Sequence, residues 1–179
     1  MSDSYCSIVP FQTYSYAAET AAKKLVQILA ERKVIHPTLS SCILNGEGYA
    51  PAENYAEITE SRDDAFLKQS INGLEVKTGR QVFPASGLDK VLCPKCAHNI
   101  IRDSWPDLIK EWTHKTGPAK FRCPQCHTSH VIADYVFEPE WAFGELGLTF
   151  WNWPPLKDSF LKEIEVISGS RLKVIKVEL

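Results

Sequence analysis

The chain is short of the features that most often declare a function. It has no apolar run approaching the about 18 residues that a membrane-spanning helix needs. Asp3 stands where a secretory leader would carry basic residues, and no apolar stretch follows it, so neither a leader nor a membrane anchor is expected. Neither sign of charge dominates: 20 Lys and Arg face 22 Asp and Glu, for a net charge of −2. That balance excludes a global attraction to nucleic acid or to an acidic membrane surface. No G-x-S-x-G, H-E-x-x-H, phosphate-loop or dinucleotide-binding pattern occurs. There is also no low-complexity segment.

Against these absences stand two pairs of cysteines, Cys93-Pro94-Lys95-Cys96 and Cys123-Pro124-Gln125-Cys126, separated by 26 residues. Zn²⁺ has no geometry of its own to impose and accepts four thiolates tetrahedrally. Each C-x-x-C turn presents two sulfurs to one side of an ion. With no secretion signal, such cysteines are read as metal ligands in a reducing cytoplasm rather than as disulfides. The two pairs resemble a zinc ribbon, or a related two-knuckle, four-cysteine zinc-binding element, over residues 91–135. The resemblance implies one structural Zn²⁺ held by Cys93, Cys96, Cys123 and Cys126, and it extends to nothing else in the chain. Such knuckles serve transcription factors, ribosomal proteins, enzymes and adaptors alike, so the motif identifies a metal rather than an activity.

Other chemistries fit less well. A redox dithiol would need a thioredoxin-like βαβ context, which neither pair has. A catalytic zinc keeps one position open for water, and four cysteines close the shell. A nucleic-acid deaminase requires H-x-E and Pro-Cys-x-x-Cys; here the prolines lie inside the pairs and H-x-E is missing. His98, His114, His127 and His130 fall in or beside the zinc segment. They are read as surface groups or as donors around the thiolates rather than as a second metal site.

All five tryptophans lie between residues 105 and 153. Trp141, Phe143, Phe150, Trp151 and Trp153 are expected to build a core and a seam between zinc element and scaffold. Trp151 and Trp153, beside Pro154-Pro155, are the candidates for a partner-binding surface. A stacking platform for single-stranded nucleic acid would need nearby cations, but only Glu138, Glu140 and Glu145 are charged between 138 and 153. The acidic stretch from Glu53 to Asp64 reads as a solvated loop, and Cys6 and Cys42 as buried thiols.

Periodicity supplies the elements. A strand over 8–14 precedes a helix from Ala17 to Val34, with Ser15 as N-cap and His36-Pro37 as its stop. A strand follows at 39–45, ending in an Asn45-Gly46 turn. Residues 71–76 and 81–83, flanking Lys77-Thr78-Gly79-Arg80, suggest a hairpin. A helix over 105–115 sits between the knuckles. Strands over 131–137 and 146–153, a helix from Pro154-Pro155 to Gly169, and a terminal strand complete the order. Two β-α-β halves point to an α+β fold, a ferredoxin-like (split βαβ) sandwich: one domain over 1–179 with the zinc element inserted at 91–135.

The charge distribution refines the functional expectation. Residues 91–135 hold 6 basic against 4 acidic side chains and form the only net-basic part. The expected function is therefore a cytoplasmic, zinc-stabilised protein-interaction module, of adaptor or immunity-like character, with another protein as partner. Nucleic-acid binding through the zinc ribbon is the alternative, and an enzyme with a cleft between sandwich and insertion is a further one.

Overall fold

The computed structural model describes residues 3–11 and 15–179, with side chains in the first helix from residue 17 onward. Ten strands and three α-helices are described. Their order is β1 (Ser4–Pro10), α1 (Ser15–Glu31), β2 (Ile35–Ile43), β3 (Gly46–Pro51), β4 (Leu74–Phe83), β5 (Lys90–Leu92), α2 (Asp107–His114), β6 (Lys120–Arg122), β7 (Ser129–Val131), β8 (Val136–Glu138), β9 (Ala142–Trp151), α3 (Asp158–Ser168) and β10 (Leu172–Glu178). The class is mixed α+β, built on a six-stranded sheet in the order β10-β1-β9-β4-β3-β2, and every pairing in it is antiparallel.

Residues of period two on the strands and 3.6 on the helices bury one common core. Ile8, Leu74, Leu146, Leu148 and Phe150 from the sheet meet Ala18, Ala21, Ala22, Leu25 and Leu29 of α1 and Phe160 and Ile164 of α3. Strand alternation sends Ser7, Val9, Thr149 and Val177 to the opposite side. There Val9, Phe83, Ala142, Ile175 and Val177 form a smaller cluster, and the Ser7 and Thr149 hydroxyls satisfy each other at 2.8 Å.

Several expectations are corrected. The first strand begins at Ser4; of its expected extent, residues 12–14 lie outside the described residues, as does the Ser15 side chain proposed as N-cap. Helix α1 ends at Glu31, with Lys33 in the left-handed region at φ 57, so His36-Pro37 does not stop it. Those two residues belong to β2, where a proline is tolerated because the strand lies at the sheet edge. The true hairpin joins β2 to β3 through Leu44-Asn45, one residue before the expected Asn45-Gly46 turn, with Asn45 at φ 59 and Gly46 already paired with Ile43. The hairpin expected around Lys77–Arg80 is instead the middle of one strand, β4. Both halves of β4 pair with β9, and Gly79, at φ 85, absorbs a bulge between Thr78 and Gln81.

The acidic stretch is largely ion-paired at home. Glu53 meets Lys33 at 2.7 Å, Glu57 meets Arg32 at 2.9 Å and Asp64 meets Arg62 at 3.2 Å. Arg32 also reaches Glu163 at 2.8 Å, tying the end of α1 to α3.

Residues 84–141 form the connection between β4 and β9. Phe83 and Ala142 are direct register partners, so the segment leaves and re-enters the sheet at one point. Within it β5 pairs with β8 and β6 with β7. The single strand expected over 131–137 is broken by a 3-10 turn at Ile132–Asp134, which buries Ile132 and Tyr135 together.

Gly147 is required on packing grounds: a Cβ there would collide with the ring of Phe83, which lies across it. Gly147→Ala is expected to displace Phe83 and destabilise the protein by about 1–3 kcal/mol, the usual range for overpacking. Urea unfolding of the two proteins checks this, and equal midpoints would refute it.

Candidate metal centre

The four cysteines converge from two turns of the same construction. Each opens on a cysteine whose amide is bonded across the turn: Cys93 N–H donates to His98 O at 2.9 Å, and Cys123 N–H to Thr128 O at 3.0 Å. Each closes on a residue whose amide returns to the first cysteine's carbonyl, Ala97 to Cys93 and His127 to Cys123, both at 2.9 Å. Both closing residues sit in the left-handed region at φ 56. That conformation costs an L-residue about 1–2 kcal/mol and is accepted here because it turns both sulfurs to one side.

Short pairings frame the two turns: β5 and the Leu92–Asn99 bridge bracket the first, β6 and β7 the second. The Cys93 and Cys126 sulfurs lie 3.7 Å apart, those of Cys96 and Cys123 3.6 Å apart, and all four fall within 4.8 Å of one another. A tetrahedral ion with metal–sulfur bonds of about 2.3 Å requires sulfur–sulfur edges of about 3.8 Å. The residues therefore fit a tetrahedral thiolate-bound metal. Cys93 and Cys123 are buried, Cys126 is half-buried and Cys96 is exposed. Among the described residues no histidine or carboxylate joins the four.

Amides aimed at the sulfurs tune them. The Thr128 amide is the largest influence on Cys126 and draws its thiol down to about 6. The His98 amide likewise favours the Cys96 thiolate, but partial desolvation and sharing of its proton with the other three sulfurs outweigh it, pushing Cys96 up to about 12. A divalent cation replaces this proton sharing with four equivalent thiolates. Tyr135 closes one side of the cluster, with its hydroxyl donating to Phe121 O at 3.2 Å. Burial, then the nearby cysteines, raise its pKa.

Sequence reasoning missed the parts played by Thr128 and Tyr135. The signal for Thr128 was present: it stands two residues past the second cysteine of its pair, as His98 does in the other.

The histidines stand outside the sulfur cluster, and the Nε2 of His130 is buried without a hydrogen-bond partner. His98 is half-buried, His114 and His127 are exposed, and His130 packs edge-on against Tyr135 at 6.2 Å. Two basic side chains fold back onto the second turn: Lys95 Nζ reaches Thr128 Oγ1 at 3.0 Å, and Arg122 Nε donates to His127 O at 3.2 Å.

Around the cluster, Val91, Ile100, Trp105, Ala119, Ile132, Tyr135 and Phe137 make a second core, joined to the sheet by Phe143 and Val82. Trp141 stacks on Phe137 at 5.2 Å and 11°, Trp105 meets Phe137 edge-on at 5.6 Å, and Trp112 meets Phe143 at 5.8 Å. Arg80 from β4 lies 4.6 Å over the Trp112 ring. The seam between element and sheet is thus filled with aromatic rings. Trp151 is only 8% exposed and packs on Tyr5 at 4.9 Å. Trp153 is half-buried against Phe66, Phe150 and Tyr55, and donates to Asn72 O at 2.7 Å. Of the remaining cysteines, Cys42 is buried and Cys6 half-buried, the latter's thiol pushed up by burial.

The chain matches no family model, no curated protein and no solved structure. No described helix is long and apolar enough to cross a membrane.

Because Ala97 holds a left-handed conformation, Ala97→Gly is expected to stabilise the metal-loaded protein by about 0.5–1 kcal/mol, after the greater unfolded-state freedom of glycine is deducted. Chemical denaturation in the presence of metal checks the sign, and a loss of stability would show that the turn is not strained there.

Proposed function

We propose that the cluster holds one Zn²⁺ in a structural role, and that the protein is a cytoplasmic interaction module whose partner is another protein. The observation that carries the metal assignment is the pair of cross-turn sulfur distances, 3.6 and 3.7 Å, in an all-cysteine set. Four thiolates fill a tetrahedral shell and leave no position for a reacting water. The aromatic seam explains what the metal is for, because residues 97–122 must keep one shape to pack against β4 and β9.

We read the scaffold as a single α+β domain over 1–179 of the split-βαβ (ferredoxin-like) kind, with a zinc-ribbon-like element over 91–135. Its support is the strand order. In β10-β1-β9-β4, the units β1-α1-β4 and β9-α3-β10 interleave, each leaving room for one strand of the other. The β2–β3 hairpin is then an addition at one edge.

Electrostatics favours a protein partner over nucleic acid. Residues 91–135 carry two more basic than acidic side chains. A divalent ion with four thiolates carries a formal charge of −2, so the metal-loaded segment is close to neutral. Lys95 and Arg122, lying against the second turn, serve that centre rather than a phosphate backbone. Trp151 and Trp153 remain the aromatic positions nearest to a binding role, with Trp153 the more accessible of the two.

Elemental analysis of anaerobically purified protein is expected to return one zinc per chain. Cys93→Ser or Cys126→Ser lowers that ratio and loosens residues 84–141, read as faster amide exchange there. Protein free of zinc would overturn the assignment. In a salt-titrated assay, no nucleic-acid binding is expected near physiological salt; micromolar affinity falling steeply with salt would overturn the choice of partner.

A further inference from the structure

The metal centre meets solvent chiefly at Cys96, and its sulfurs approach closely across the two turns. Cys96 is exposed and Cys126 half-buried, while the cysteines that face them from the opposite turn, Cys123 and Cys93, are buried. Each close pair joins one turn to the other. An oxidant arriving from solvent therefore meets Cys96 first, with a second sulfur from the opposite turn 3.6 Å behind it.

We propose that the centre is an oxidant-operated latch: a hydroperoxide converts the metal-joined turns into disulfide-joined turns and expels the metal. The inference rests on the reading that the cluster holds zinc. The Cys96 thiolate attacks the peroxide oxygen, forming a sulfenic acid and releasing hydroxide. The Cys123 thiolate then attacks that sulfur, closing Cys96–Cys123 and releasing a second hydroxide. Cys93 and Cys126 react in the same way with a second peroxide. In sum, four thiolates on Zn²⁺ and two H₂O₂ give two disulfides, aqueous Zn²⁺ and four hydroxides, with charge −2 on both sides.

The geometry adds a particular consequence. Disulfides within each C-x-x-C would leave the two turns unconnected once the metal is lost. Cross-turn disulfides keep residues 97–122 closed at their base. The latch releases metal without opening the element, and a dithiol reductant with zinc restores the original state.

The test begins with zinc-loaded, full-length protein whose metal content has been measured. It is treated with hydrogen peroxide beside a chromogenic zinc chelator, then mapped by non-reducing peptide mass spectrometry. The expected result is loss of all bound zinc, linkage of Cys96 to Cys123 and of Cys93 to Cys126, and recovery on adding dithiothreitol and zinc. Protease resistance of 84–141 should survive oxidation but not chelation under reducing conditions. A Cys6→Ala, Cys42→Ala background, which leaves the centre intact, should behave identically. Linkage within each C-x-x-C overturns the inference, as does zinc retention under peroxide that fully oxidises glutathione. Either failure, in protein that carried zinc at the start, leaves the metal assignment standing. Protein without zinc at the start overturns both.

Discussion

The ladder between β4 and β9 is the constraint on which the rest depends. It runs from Leu74 opposite Phe150 to Phe83 opposite Ala142 and occupies the interior of the sheet. One end seats Leu74 and Phe150 in the core under α1 and α3. The other end brings the two ends of 84–141 side by side, which lets a long segment be added without straining either strand. Phe143 of β9 and Val82 of β4 enter the core around the sulfurs. The metal element is therefore continuous with the sheet through two strands already paired to each other.

The cysteine cluster and hydrophobic packing divide the work inside the element. Its core is small and its strands are three residues long, too short to hold register alone. Small units of this kind need a staple. The four cysteines supply it by drawing the two turns together, and the aromatic rings then fix the element on the sheet. Charge is handled locally as well, with Lys95 and Arg122 beside the thiolates and the acidic stretch 53–64 bonded to Arg32, Lys33 and Arg62.

Features governed by neighbouring residues were legible in the sequence. The cysteine spacing named the four side chains that converge, the turn near Asn45 was visible, and Gly169 follows α3 at φ 66 as a helix stop should. Features governed by distant partners were not. Gly79 suits a bulge as well as a turn, and only pairing of both halves of β4 with β9 decides between them. Pro37 looks like an interruption until the sheet order shows β2 at an edge. Trp153 has the sequence surroundings of an exposed ring, yet it is half-covered by Tyr55 and Phe66, which lie far upstream in the chain. The convergence of the sulfurs was implied by spacing, but the left-handed residues that make it possible, Ala97 and His127, carry no glycine to announce them.

The pairing of Ser4 with Glu178 has a bearing on how the protein is made. During synthesis, at about 5–20 residues per second, β1 waits for everything between Pro10 and Leu172 before its outer neighbour exists. The strand pairings that close the metal element lie between Lys90 and Glu138, so its ligands are all present well before α3 and β10 have been translated. The four sulfurs are thus made before the strand that completes the sheet. The four thiols must therefore find one another without the finished sheet around them.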